Sequence, residues 1–76
     1  MDLEREYEGG VLLEALNDFL ERLDREDRFV FMRRYWYGDE IKTIAYGCGF
    51  SESNVKSKLF RCRQKLKQDL EGKGLI

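Results

Sequence analysis

Val11, Leu12, Leu16, Phe19, Leu20 and Leu23 recur at steps of one, three and four along the chain. That period puts them on one face of an amphipathic helix over roughly residues 11–22, with Glu14, Asn17, Asp18, Glu21 and Arg22 on the other. Residues 1–10 show no clear period and end in Gly9-Gly10, so they read as a flexible acidic lead-in. A second helix follows Asp24, its expected N-cap, with Glu26 and Asp27 suited to the positive end of the helix dipole. Phe29, Val30, Met32, Tyr35 and Trp36 form its apolar body, Arg33 and Arg34 lean outward, and Gly38 stops it. A short third helix spans about Glu40 to Tyr46, capped by Asp39, with Ile41, Ile44 and Ala45 inward; Gly47-Cys48-Gly49 breaks it. Ser51 caps the last helix, which runs to about Leu70 and ends at Gly72 and Gly74. Asn54 stands where a capping box would place Glu or Gln, so the box is incomplete. No strand-like alternation or internal repeat competes. The pattern predicts a small all-α domain of four helices at residues 11–71, without winged elements, and a tail at 72–76.

Composition narrows this picture. The chain has 76 residues, enough for one domain with a thin core. It contains no proline, in keeping with uninterrupted helices joined by glycine turns. No run approaches the ~20 apolar residues of a membrane span, and the acidic start "MDLEREYEGG" lacks the apolar centre of a secretory signal. There is no histidine, and Cys48 and Cys62 are the two cysteines, so neither a structural zinc site nor a disulfide framework is expected. Two small buried thiols in a reduced, cytoplasmic setting fit best.

The net charge of −1 hides a strong asymmetry. Residues 1–27 carry ten acids and three bases, a balance of −7, whereas residues 28–68 carry ten bases and three acids, a balance of +7. A basic half suits a polyanion. The acidic first helix reads as a solvated face that keeps the domain soluble.

Advancing about 100° per residue along the last helix puts Val55, Leu59, Cys62, Leu66 and Leu70 in one narrow arc, the expected buried stripe. Ser53, Ser57, Phe60, Arg61, Gln64 and Gln68 lie around the opposite side, with Lys56, Lys58, Arg63, Lys65 and Lys67 flanking the stripe. Small hydroxyls, amides, an arginine and an aromatic ring edged by cations suit the DNA major groove. Cations hold phosphates, arginine pairs with guanine, glutamine with adenine, and an apolar group packs on the thymine methyl. For Phe60 the angles leave groove contact and packing on a neighbouring helix or partner about equally supported.

A short helix, a glycine turn and a longer helix with a polar outer face form the helix-turn-helix pattern. In that geometry Ser53 to Arg61 lie deepest in the groove, Lys65 and Lys67 lie further along the backbone, and Lys42 and Thr43 of the short helix face phosphates. With this arc in the groove, the base-contacting set is Ser53, Ser57, Arg61 and Gln64, joined by Phe60 on the groove alternative, and the phosphate-contacting set Lys42, Thr43, Lys56, Lys58 and Lys65.

The stretch "RFVFMRRYWYGDEIKTIAYGCGFSESNVKSKLFRCRQKL" resembles region four of the sigma-70-type sigma factors, above all the small extracytoplasmic-function branch. The resemblance runs through Arg34-Tyr35 with Gly38, Ile44-Ala45, Gly49, Ser51, and the block from Val55 to Arg63 with Leu66, and covers about Leu12 to Leu70. It departs from the family at Asp24, where proline is common, and at Thr43, where an acid usually precedes "IA". It departs again at Cys48, where leucine usually precedes the glycine, and at Cys62, where alanine is usual. The resemblance implies binding of the promoter minus-35 element, docking of another face on the β-subunit flap of RNA polymerase, and cover by an anti-sigma protein. It implies DNA contact at Lys56, Ser57, Phe60 and Arg61, which favours the groove for Phe60; Lys56, at the flank, suits phosphate. Region two, which melts DNA in these factors, has no counterpart in the sequence.

Other function classes fare less well. The carboxylates cluster on the exposed first helix, no cysteine has a base for a partner, and the glycine pairs follow no strand, so catalysis and a phosphate-cradling loop are not expected and no cofactor is implied. A helix-turn-helix regulator of the response-regulator output type shares the pattern but predicts a dimer, and no dimerisation helix is evident beyond the four; a monomer is expected in isolation. A protein-binding module with a basic face is the remaining alternative.

Overall fold

A computed structural model describes the backbone of residues 3–76 and the side chains of residues 10–76. Its elements are α1 (Leu3–Arg22), α2 (Arg25–Tyr35), α3 (Ile41–Cys48) and α4 (Glu52–Gly72), with no strand among the described residues. α4 is the hub: α1, α2 and α3 all pack against it, and α2 also touches α3. Two clusters of buried side chains meet on its stripe. Toward its N-terminus Val55 and Leu59 pack with Val30, Ile44 and Ala45, with Ile41, Cys48 and Phe50 at the margin. Toward its C-terminus Cys62 packs with Phe19, Leu23 and Phe31, with Leu16, Leu20 and Leu66 around them. The Phe19 and Phe31 rings meet edge-to-face with centroids 5.7 Å apart.

Two of the expected caps form. Asp24 Oδ1 accepts the Asp27 N–H at 2.8 Å and opens α2, and Ser51 Oγ accepts the Asn54 N–H at 3.0 Å and opens α4. The expected Asp39 cap does not. Glu40 holds the N-cap position of α3 without a side-chain bond, and Asp39 instead takes the Arg33 guanidinium at 2.6 Å. Arg34 donates to the Asp39 carbonyl at 3.0 Å, so both arginines, expected to lean outward, tie the end of α2 to the turn before α3.

Three boundaries and two core assignments differ from the sequence pattern; in α1, Val11 and Leu12, read on the apolar face, are exposed, and Ala15 is buried instead. α1 starts at Leu3 and runs through Gly9 and Gly10, so residues 3–10 of the stretch read as a lead-in are helical, residues 1–2 lying outside the described residues. α3 continues through Gly47 to Cys48, and its stop is Gly49, whose φ of 72° is the left-handed conformation that costs glycine nothing. The Phe50 N–H then reaches back to the Ala45 carbonyl and closes the turn. α4 extends to Gly72, past the expected end near Leu70. In α2 the buried apolar residues are Val30 and Phe31; Phe29, Tyr35 and Trp36, expected in the core, are exposed.

Cys62 is buried and Cys48 half-buried, and neither is bonded to another cysteine. Burial pushes both thiols above the ordinary cysteine pKa, with Glu26 adding to the effect at Cys48 and Asp27 at Cys62. The acidic face of α1 is not wholly solvated, since Asp18 pairs with Lys73 at 3.7 Å and Arg22 pairs with Asp69 of α4. Among the described residues no helix is long and apolar enough to cross a membrane.

Candidate DNA-binding face

α4 turns its buried arc of Val55, Leu59 and Cys62 toward the other three helices, which leaves the opposite arc facing away from the domain. Ser53, Ser57, Phe60, Arg61 and Gln64 are all exposed on that arc, as expected from the angles. Phe60 is 56% exposed and belongs to neither core cluster. Lys56, Ser57, Phe60, Arg61 and Arg63 surround an open depression on this side. A flat base edge or sugar could enter it; none of these side chains, Arg63 apart, is held by another side chain among the described residues.

The cations around the arc divide into two groups. Lys56 and Lys65 on α4 and Lys42 on α3 are exposed and carry no ion pair among the described residues, and the neutral Thr43 beside Lys42 is exposed with it. Lys58 differs from its expected role as a phosphate contact. Its ammonium lies 3.3 Å from Asp27 Oδ1 and 3.5 Å from Glu26 Oε2, and sits 5.2 Å from the centre of the Phe50 ring. Burial opposes its charge, but the hydrogen bonds and charges of Asp27 and Glu26 outweigh that and raise its pKa above the ordinary lysine value. Lys58 is therefore a bolt between α4 and the first turn of α2. The reason is position: Lys58 and Lys65 share one flank of the stripe, but Lys58 lies two turns nearer the start of α4, level with Glu26 and Asp27 in the first turn of α2.

Arg63, on the opposite flank, was not in the expected site. Its guanidinium donates to the Tyr35 hydroxyl at 2.8 Å, and the Tyr35 ring rests against Phe31 with centroids 4.9 Å apart. Tyr35 thus holds Arg63 at the rim of the Phe60 depression. The apolar period of α2 assigned Tyr35 to the core; its exposed polar end, typical of tyrosine at an interface, is the signal that would have marked it.

The short helix α3, the left-handed Gly49 turn and the outward arc of α4 make up a helix-turn-helix. The family profile described as "Sigma-70, region 4" matches residues 13–66. The chain belongs to the sigma-70 region 4 family. This is a DNA-binding domain of sigma factors, the proteins of transcription initiation that act with RNA polymerase at promoters. No curated protein matches the chain. The matched segment runs from Leu13 in α1 to Leu66 and so includes α2, α3 and every residue of the outward arc named above.

Proposed function

We propose that this region 4 domain reads the promoter minus-35 element and so helps direct RNA polymerase to a set of promoters. The observation that carries the reading is the outward arc of α4: Ser57, Phe60, Arg61 and Gln64 stand free beside exposed Lys56 and Lys65, on the helix that a helix-turn-helix inserts into the major groove. Arg61 and Gln64 supply bidentate donors for guanine and adenine edges, and Phe60 supplies apolar surface for a thymine methyl or a sugar. Lys42 and Thr43 on α3, with Lys56 and Lys65 on α4, bind phosphates and set the register. Lys58 leaves this set because Asp27 and Glu26 occupy it. Another face docks on the polymerase β flap, and an anti-sigma protein covers the domain when its promoters are silent; both belong to the same reading by membership of the family.

Selection of bound sequences from a random duplex pool, with and without RNA polymerase, tests the reading. An asymmetric, hexamer-sized site supports it, whether it emerges from the domain alone or only with polymerase. A palindromic site favours a dimeric regulator, and no enrichment in either arm counts against sequence-specific binding.

A further inference from the structure

The chain turns back on itself where α4 ends. Gly74 is left-handed at φ 71°, its N–H donates to the Glu71 carbonyl at 3.0 Å, and the Leu75 N–H reaches the Leu70 carbonyl at 2.9 Å. These two bonds make a glycine C-cap that reverses the chain toward α1. Lys73 and Leu75 then face Val11, Glu14, Ala15 and Asp18 across a shallow depression. Those four positions, at steps of three, one and three, form one stripe of α1. The Lys73 ammonium lies 3.7 Å from Asp18 Oδ2 and 3.6 Å from Asp69 Oδ2, and Arg22 pairs with the other oxygen of Asp69. Asp69 Oδ2 is shut off from water and has no hydrogen-bond partner among the described residues, so the Lys73 charge is what offsets it.

We propose that residues 73–75 are a strap that keeps the first half of α1 helical, and that opening the strap melts α1 back toward Phe19 while α2, α3 and α4 stay folded. The two halves of α1 are held differently. Phe19 and Leu23 are buried in the cluster with Phe31 and Cys62, and Leu16 and Leu20 pack around it. Upstream of Leu16 that support is missing. Leu12 and Leu13 are half exposed, and Ala15 is buried yet belongs to neither core cluster; it lies on the stripe that faces the tail. The first half is also a poor helix by itself. Gly9 and Gly10 sit inside it, glycine gives up more backbone freedom in a helix than any other residue, and a short helix without tertiary contacts is marginal. The strap is weak enough to open. Its apolar part is one half-buried leucine, and its ion pair with Asp18 joins side chains 35% and 56% exposed, so salt screens it. A segment held by so few buried contacts opens locally, without global unfolding. The output is the length of α1. Closed, it is a rod of 20 residues, about 30 Å long; open, only the turns around Phe19 and Leu23 remain. Whatever competes for Lys73 or Leu75 shortens that rod, independently of what α4 binds.

Residue-resolved amide exchange on the full chain tests the strap, comparing wild type with Gly74→Val, Leu75→Ser and Lys73→Gln. A Cβ at Gly74 meets nothing within 4 Å, so valine there removes the left-handed turn and no packing contact. In Gly74→Val and Leu75→Ser the amides of residues 12–18 should exchange about tenfold faster or more, with those of Val30, Val55 and Leu59 unchanged. Lys73→Gln should accelerate the same amides, and added salt should then act less on the variant than on wild type. Unchanged exchange at residues 12–18 in Gly74→Val and Leu75→Ser means that α1 holds itself, and overturns the strap. Acceleration spread evenly over α2, α3 and α4 overturns it as well, because the tail is then a general prop of the domain.

Discussion

Lys58 and Asp27 form an ion pair across the α2–α4 contact, ammonium to carboxylate 3.3 Å, with only 13% and 11% of the two side chains exposed. The pair ties α4 to α2 within the span of the reading arc, one residue past Ser57. Replacing Lys58 with methionine keeps the aliphatic stem but strands a nearly buried carboxylate. Breaking a fully buried pair costs about 3–5 kcal/mol, and the residual exposure here lowers the expectation to about 1–3 kcal/mol. The pH dependence has a definite sign. A lysine whose folded pKa is raised stabilises fully below its unfolded pKa, and loses that contribution as pH rises through the folded value. The difference in melting temperature between wild type and Lys58→Met should therefore be constant near neutrality and shrink above about pH 10. A difference that persists undiminished at high alkalinity would assign the effect to packing.

That pair also shows where sequence reasoning stops. The outward arc of α4 was legible because a helix with a clear apolar stripe fixes its own opposite side; Ser57, Phe60, Arg61 and Gln64 needed no partner to be placed. Lys58 sits at the edge of the stripe, and its partner is 31 residues away, so only the crossing of α2 over α4 decides whether it faces phosphate or carboxylate. The same holds for α2 itself. "RFVFMRRYWY" offers aromatic rings on every side, and Phe31 rather than Phe29 goes inward because that is the side α4 meets. The caps divide similarly: Asp24 and Ser51 act within their own turn and were readable, whereas Asp39 is drawn to Arg33 by a charge that a cap motif does not see. The glycine stop fell at Gly49 rather than Gly47 because the positive φ belongs to one residue, and composition does not say which.

Leu59 joins α4 to the cluster of Val30, Ile44, Ala45 and Val55, and is 1% exposed. Leu59→Ala opens a cavity in a core with few other contacts, at a cost of about 2–5 kcal/mol. For a domain of this size that is a large part of the whole stability, so the variant should melt at much lower temperature or fail to fold. An unchanged thermal transition would place the core elsewhere.

Arg61 and Lys65 separate reading from holding. Arg61→Ala should cost about 1–3 kcal/mol on the preferred site and relax preference at one position, with little change on random duplex. Lys65→Ala should weaken both duplexes alike and reduce the slope of log affinity against log salt by about 0.9. Equal losses on both duplexes for Arg61→Ala would remove it from the base-contacting set, and a sequence-selective loss for Lys65→Ala would remove that residue from the phosphate set.

Tyr35→Phe deletes only the hydroxyl that receives Arg63 at 2.8 Å and leaves the ring against Phe31. The bond is exposed, so its loss should shift stability by no more than about 1 kcal/mol. Its effect on DNA should be larger, because Arg63 is then free to leave the rim of the Phe60 depression. Binding to specific and random duplex should fall together, and Arg63→Ala should add little to Tyr35→Phe. Additive losses in the double variant would show that the two side chains act separately.

Phe60 lies beside Ser57 and Arg61 on the outward arc, 56% exposed and outside both core clusters. An aromatic ring left in water on a helix whose inward stripe is already filled by Val55, Leu59 and Cys62 has no folding role to lose. Phe60→Ala should therefore leave the unfolding free energy within about 0.5 kcal/mol of wild type, the ordinary range for a surface change. Duplex affinity should fall, and fall most on sites with a thymine under the ring, because methyl contact is the sequence-dependent part of what phenylalanine offers a groove. Two readouts on the same variant decide between the roles. A loss of affinity without a loss of stability keeps Phe60 in the reading face, and a loss of stability alone makes it a packing residue.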